Sequence, residues 1–235
     1  MSQSEIGEPH QPSKPGRPRV AMVGYTFYES DARLQMYVDY LVSAGFDVDV
    51  FVVRDPNCEP PSDYEHVSFF LPTERKFARQ GALQMILDYS GFTLVCAWML
   101  LKRHLGGRRY AVAHINNMPN FVLFAALPIR LLGARTILDL HDTMPEIFQV
   151  RGKVSPRHWM IRCLKIEEWV CLKLADYVLT SEHTKRDRLL ENGLDRTKSA
   201  VILNLADPEL FPRAPIPETV PGDPGRSFRL VFHGT

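Results

Sequence analysis

RVAMVGYTFYESDARLQMYVDYLVSAGFDVDVFVV, residues 19–53, reads in three parts. RVAMVGY is an apolar run of buried-strand length. SDARLQMYVDYLVSAG then sets Leu34, Tyr37, Val38, Leu41 and Val42 at helical spacing, with Ser30 as candidate N-cap and Gly45 as the stop. FDVDVFVV returns to strand. Two strands joined by a helix make a β-α-β unit, for which a right-handed crossover and parallel strands are expected.

The alternation continues down the chain. HVSFFL (66–71) is a third strand, and 73–105 reads as mostly helical with a break near Ser90 and Gly91. YAVAHINN is a strand, PNFVLFAALPIRLLG a helix begun by one proline and disturbed by Pro128, and RTILDL a strand again. After an HDTMPE loop, Ser155 and Pro156 open a long helix whose apolar stripe is Trp159, Cys163, Ile166, Val170 and Leu174. ADYVLTS is a strand, EHTKRDRLLENG a helix and KSAVILNL a strand. So many strand-helix alternations mean an α/β fold with a doubly wound, mainly parallel, Rossmann-like sheet.

The expected domain plan is a disordered leader over 1–18, a Rossmann-like domain over 19–206 and a proline-rich linker over 207–227. FRLVFHGT (228–235) reads as the first strand of a second domain that the chain truncates. Hydrophobic residues are 45% of the 235, charged residues 23%, and the formal net charge is +1, so no global charge points to nucleic acid. No apolar run of signal-peptide length opens the chain, which leads us to expect a cytoplasmic protein. Cys58, Cys96, Cys163 and Cys171 form no CxxC pair and are read as buried, reduced thiols. FTLVCAWMLL (92–101) is about half the length of a membrane-spanning helix and is not expected to cross alone.

Open α/β sheets bind ligands beyond the carboxyl ends of their strands, where loops and helix N-termini converge. The polar groups expected there are Tyr25 to Asp31, His114 to Asn117, His141 to Glu146, Ser181 to His183 and Asn204 to Asp207.

HINNMPNFVLFAALPIRLLGARTILDLHDTMPE, ADYVLTSEHTKRDRLLENG, VILNLADPELF and FRLVFHGT, in this order, resemble the N-terminal half of a retaining glycosyltransferase of the GT-B fold, glycosyltransferase family 4. The resemblance runs from about Arg19 to Thr235. It implies two facing Rossmann-like domains, of which this chain supplies the acceptor side, while most of the nucleotide diphosphate sugar is held by the other. It also implies transfer of a glycosyl group with retention onto a glycan or lipid-linked acceptor, no metal or other cofactor, and no activity for this chain in isolation. By position His141 matches the family's catalytic-cleft histidine. A neutral imidazole donates one hydrogen bond and accepts another, which suits orienting a hydroxyl beside a departing diphosphate. The further cleft candidates are Tyr25, Asp31, Arg33, His114, Asn116, Asn117, Asp142, Glu146 and Asn204. The family's first loop is often glycine-rich; here only Gly24 remains, and Arg33 could offer a phosphate contact in place of backbone N–H groups, against the default that it is solvated.

Other readings compete. Asp47-Val-Asp49 has the DxD form of metal-dependent transferases, but inside an alternating strand the two acids share a face, and no metal site is assigned. His141-Asp142 spells the doublet of HD phosphohydrolases, which are helical, whereas here it follows a strand. Glu146 suits a helix cap as well as an acceptor contact, and His114 suits a strand-end histidine. Of Glu167 and Glu168, one is expected to face solvent and the other to pair with a base. Arg75, Lys76, Arg79, Lys102, Arg103, Arg108 and Arg109 bracket apolar segments, which suits a solvated rim or a peripheral contact with an anionic membrane on its inner face. The alternative functions are a noncatalytic acceptor- or membrane-binding subunit with a separate donor-domain chain, and an unrelated Rossmann-type nucleotide-binding protein, although no GxGxxG follows the first strand.

Overall fold

The computed structural model describes residues 16–74, 82–117, 119–152 and 155–205. The chain divides into a unit ending at Leu203, which carries all the elements below, and a second unit from Asn204 onward. The expected linker at 207–227 and strand at 228–235 lie outside the described residues, as do 1–15 of the expected leader and Arg75, Lys76 and Arg79.

Among the described residues, seven parallel strands form one sheet: β1 (Arg19–Gly24), β2 (Asp47–Phe51), β3 (Val67–Phe70), β4 (Tyr110–Asn116), β5 (Arg135–Leu140), β6 (Tyr177–Thr180) and β7 (Ser199–Val201). Their order is β3-β2-β1-β4-β5-β6-β7, so the winding reverses between β1 and β4. Ligands of doubly wound sheets bind at that reversal. The helices are α1 (Ala32–Ser43), α2 (Ala82–Leu105), α3 (Leu127–Leu131), α4 (Met144–Gly152), α5 (Trp159–Leu174) and α6 (His183–Glu191), with a 3-10 helix at Asn120–Ala126.

The period-two alternation of β1 builds a core on each face of the sheet. Val20 and Met22 join Leu34, Tyr37 and Val38 of α1, whereas Ala21 and Val23 join Phe92, Cys96 and Leu100 of α2 and Val122 and Leu123 of the 3-10 helix. Burying a side chain such as Phe92 or Leu100 contributes about 1.5–3 kcal/mol.

Several local expectations are corrected. α2 runs unbroken through Ser90 and Gly91, because the Phe92–Cys96–Leu100 stripe anchors it. One mid-helix glycine costs only about 1 kcal/mol against alanine, which packing overrides. Thr73 and Glu74 are not helical, and Glu74 bridges Arg54 instead. Asp31, not Ser30, caps α1 by accepting the Leu34 N–H at 3.0 Å. α5 begins at Trp159 under a His158 cap rather than at Ser155. Its expected stripe is misplaced: Trp159, Cys163 and Ile166 are exposed and Val170 and Leu174 half-buried, while Ile161, Glu168, Cys171 and Leu172 face inward. α5 carries apolar residues on both sides, and its buried partners choose between them. Of the four thiols only Cys96 and Cys171 are buried; Cys58 and Cys163 are exposed. The apolar run 92–101 also belongs to a longer one, since Gln84–Leu105 is long and apolar enough to span a bilayer by length and composition.

Asp47 and Asp49 share one face of β2 and both bond Arg19, at 2.8 and 2.6 Å. Asp49, fully buried, also accepts from Arg103 and Tyr110. These acids tie β2 to β1 and α2.

Candidate functional site

Gly24, Tyr25, Thr26, Asp31, Tyr89, Asn116, Asn117 and His141 line a pocket of about 190 Å³ at the carboxyl ends of β1, β4 and β5, where the winding reverses. That is smaller than the volume a drug-sized ligand fills, and suits one ring with its hydroxyl groups. A Cβ on Gly24 would stand 3.4 Å from the Cβ of Asn116 and 3.3 Å from Thr26, so the bare glycine keeps this corner open. Tyr25 is a buried wall, edge-on to Tyr89 at 4.5 Å and to Phe92 at 5.3 Å.

Asn116 is 3% exposed, and neither its amide oxygen nor its amide nitrogen has a hydrogen-bond partner. Leaving such a group unmet in a folded core costs about 1–3 kcal/mol. A buried carboxamide on a pocket wall with both functions unmet is suited to a ligand group that donates and accepts, as a hydroxyl does.

His141 is held from three sides. Its backbone N–H donates to Asn117 Oδ1 at 2.8 Å, and its carbonyl accepts from Lys185 Nζ and from Ser181 Oγ at 3.3 Å. Its imidazole Nε2 lies 3.2 Å from Asp139 Oδ2, close to the carboxylate but off the line of a hydrogen bond. Asp139, near the carboxyl end of β5 just before His141, is fully buried. It accepts two bonds from Arg33, both at 3.0 Å, and lies 3.8 Å from His114 Nε2. Burial by itself would raise the Asp139 pKa; His114, His141 and Arg33 outweigh burial and hold the carboxyl well below the usual carboxylate range.

The structure therefore brings together Tyr25, Asp31, Asn116, Asn117 and His141 around one pocket, and assigns the other candidates elsewhere. Arg33 is neither solvated nor on the pocket wall: at 8% exposure it binds Asp139 and the Ile202 carbonyl. A guanidinium beside a fully buried carboxylate cannot leave for water without stranding that charge. His114 sits behind Asp139 with its ring against Tyr37. Asp142 pairs with Lys185 at 3.3 Å, and Glu146 pairs with Arg188 at 3.0 Å, tying α4 to α6. Asn204 is exposed and belongs to the second unit. Glu168 is buried against Arg188 at 2.6 Å, and Glu167 does not face solvent either, since it accepts from Asn120 at 2.9 Å. Burial pushes the Glu167 pKa up to about 7 against its hydrogen bonds. Among the described residues, no three His, Cys, Asp or Glu side chains are grouped to hold a metal ion.

Asp139 and Lys185 escaped the sequence reading, and Glu167 was read there only as a solvent-facing or ion-paired helix residue. Only Asp139 left a signal there, as an acid at a core position of an otherwise apolar strand end, which requires buried partners.

The family model for the glycosyl transferase 4-like domain matches residues 30–204. No curated protein matches the chain. Among solved structures, a UDP-glucosyltransferase from Polygonum tinctorium that glucosylates indoxyl is similar at TM-score 0.53 and 14% identity, over 87% of this chain and 56% of its own. Phytolacca americana UGT2 aligns at TM-score 0.55 and 12% identity, over 84% of this chain and 57% of its own. Anabaena HepE, solved with UDP, aligns at TM-score 0.51 and 15% identity, over 84% of this chain and 47% of its own. The chain thus spans about half the length of these neighbours, and its Rossmann-like sheet is that of a GT-B domain.

Proposed function

The chain belongs to the glycosyl transferase 4-like family, and from that premise we propose that its pocket presents an acceptor hydroxyl for glycosyl transfer, with retention, from a nucleotide diphosphate sugar. The observation that carries this is the unmet Asn116 amide beside His141. A carboxylate next to Nε2 favours the ring proton there, which leaves Nδ1 to accept from a hydroxyl. Asn116 fixes the same hydroxyl or its neighbour. The new bond runs from the acceptor oxygen to the anomeric carbon, the bond from that carbon to the diphosphate breaks, and the departing diphosphate takes the hydroxyl proton. His141 orients the hydroxyl rather than deprotonating it, and the chemistry asks no metal of these residues. The donor's nucleotide is held by a second Rossmann-like domain, in the same protein or in a separate chain. The test is the anomeric configuration of the transfer product by NMR: the donor's configuration is expected, and an inverted product overturns the reading. Asn116→Leu is expected to raise the acceptor KM about tenfold, the loss of one or two hydrogen bonds to a hydroxyl.

A second reading concerns where the acceptor lies. The outward face of α2 exposes Leu87, Leu94, Trp98 and Leu105 over a helix about 36 Å long, with Leu94 70% and Trp98 62% exposed. Lys102 caps the Trp98 ring at 5.0 Å, and Lys102, Arg108 and Arg109 are exposed at that end, whereas Arg103 is taken by Asp49. An apolar face ending in free bases fits the surface of an anionic bilayer, with the helix in the interfacial plane because its other face is the core. We propose a peripheral protein on such a membrane, facing a lipid-linked acceptor. In flotation with vesicles, recovery is expected with anionic and not with neutral lipid, and Leu94→Ser with Trp98→Ser is expected to lose most of it. Equal recovery with both lipids would sink the idea.

A further inference from the structure

Glu167 is a buried acid that the transfer step does not use, and it stands at the end of a polar chain leading to His141. Its Oε2 accepts from Asn120 Nδ2 at 2.9 Å; Asn120 Oδ1 accepts from Asn117 Nδ2 at 3.0 Å. Asn117 Nδ2 also donates to the Asp142 carbonyl at 2.7 Å, while its Oδ1 takes the His141 N–H. Asn120 is 1% exposed and Asn117 7%. The other oxygen of Glu167, Oε1, accepts from the Cys171 Sγ at 3.8 Å.

We propose that Glu167 is a positioning residue for the pocket: as the acceptor at the far end of the chain, it anchors Asn120 and, through Asn117, the hydrogen bonds that hold the His141–Asp142 backbone. This rests on the reading of His141 as the functional centre. A carboxamide can turn over, exchanging its oxygen and nitrogen with little change of shape. The His141 N–H only donates and the Asp142 carbonyl only accepts, so they fix Asn117, which in turn calls for the Asn120 oxygen and leaves the Asn120 NH2 in need of an acceptor. Glu167 Oε2 is that acceptor. With Glu167 gone, the buried Asn120 NH2 is left unmet, Asn120 loses its anchor, and its hold on Asn117 loosens. The burial that pushes the Glu167 carboxyl towards neutrality shows that the fold keeps this acid at a cost.

The experiment is amide hydrogen exchange by NMR on this chain. Glu167→Leu keeps the volume and removes the acceptor, and is expected to speed exchange of the His141 amide about tenfold while the β1 and β4 amides stay protected. Glu167→Gln can still present an oxygen to Asn120 and is expected to restore wild-type exchange. Asn120→Ala breaks the chain from its other end without touching Glu167, and carries the test should Glu167→Leu unfold. Asn117→Ala, which removes the direct acceptor, marks the full effect. If Asn117→Ala speeds His141 exchange but Glu167→Leu and Asn120→Ala do not, Glu167 does not act on the His141 backbone and the proposal is overturned. In transfer assays the same variants are expected to lower kcat with KM steady, and rescue by Gln should follow the exchange data. The exchange pattern makes no use of transfer, so its failure is separable from failure of the functional reading.

Discussion

Replacing Asp139 by alanine is expected to destabilise the domain by about 3–5 kcal/mol, the cost of breaking a buried pair and leaving one charge behind. Arg33 is the charge left behind: it is 8% exposed and both its bonds to Asp139 measure 3.0 Å. The Ile202 carbonyl, at 2.9 Å, also accepts from it but carries no charge to neutralise it. Chemical denaturation of Asp139→Ala and of Asp139→Ala with Arg33→Met separates the terms, since removing both charges should recover much of the loss. A loss under about 1 kcal/mol in the single variant would mean that Arg33 reaches water, against the burial seen. The sign with pH follows from the depressed pKa. The stability that Asp139 contributes is fully present above the ordinary, unfolded carboxylate value and is lost as pH falls through the lower, folded one. Asp139→Asn should therefore flatten the acid limb of the stability curve and leave the neutral limb unchanged in slope.

His141→Ala in the active transferase is expected to cut turnover about 100-fold or more, the scale of losing one orienting contact at the reacting centre. Its fold should survive. His141 is held by its backbone, through Asn117, Ser181 and Lys185, and the alanine variant keeps all three bonds. Among the described residues the side chain's ionic contact is with Asp139, whose charge retains Arg33. Circular dichroism and melting should be close to wild type while kcat falls, and wild-type turnover would refute the role given to the ring. His141→Gln, whose amide oxygen can still accept a hydrogen bond from the hydroxyl, is expected to fall between the two.

The architecture was legible because it depends on periodicities that a chain carries locally. Strand runs at β1, β2, β4 and β5 alternate with helix stripes such as Leu34–Tyr37–Val38, and the structure returns them as parallel strands and a sheet-packed helix. His141, Asn116 and Tyr25 were legible as strand-end residues, because parallel strands gather their carboxyl ends on one side whatever their order. The stripe of α5 was not, since that helix is apolar on two sides and only its neighbours choose one.

By itself the amino-acid sequence determined the α/β class, the strand-end placement of the polar groups and the membership that residues 30–204 carry. The tertiary structure alone decided which of those groups meet. The strand order put β1 beside β4, and so Gly24 beside Asn116, across some ninety residues of chain. Arg33 met Asp139 across 106 positions and became a buried counter-charge instead of a solvated base. Glu167 met Asn120 across 47 and ceased to be a surface acid. Pairings at such separations leave no local pattern, because each partner looks like an ordinary charged residue until burial removes the water that would otherwise satisfy it.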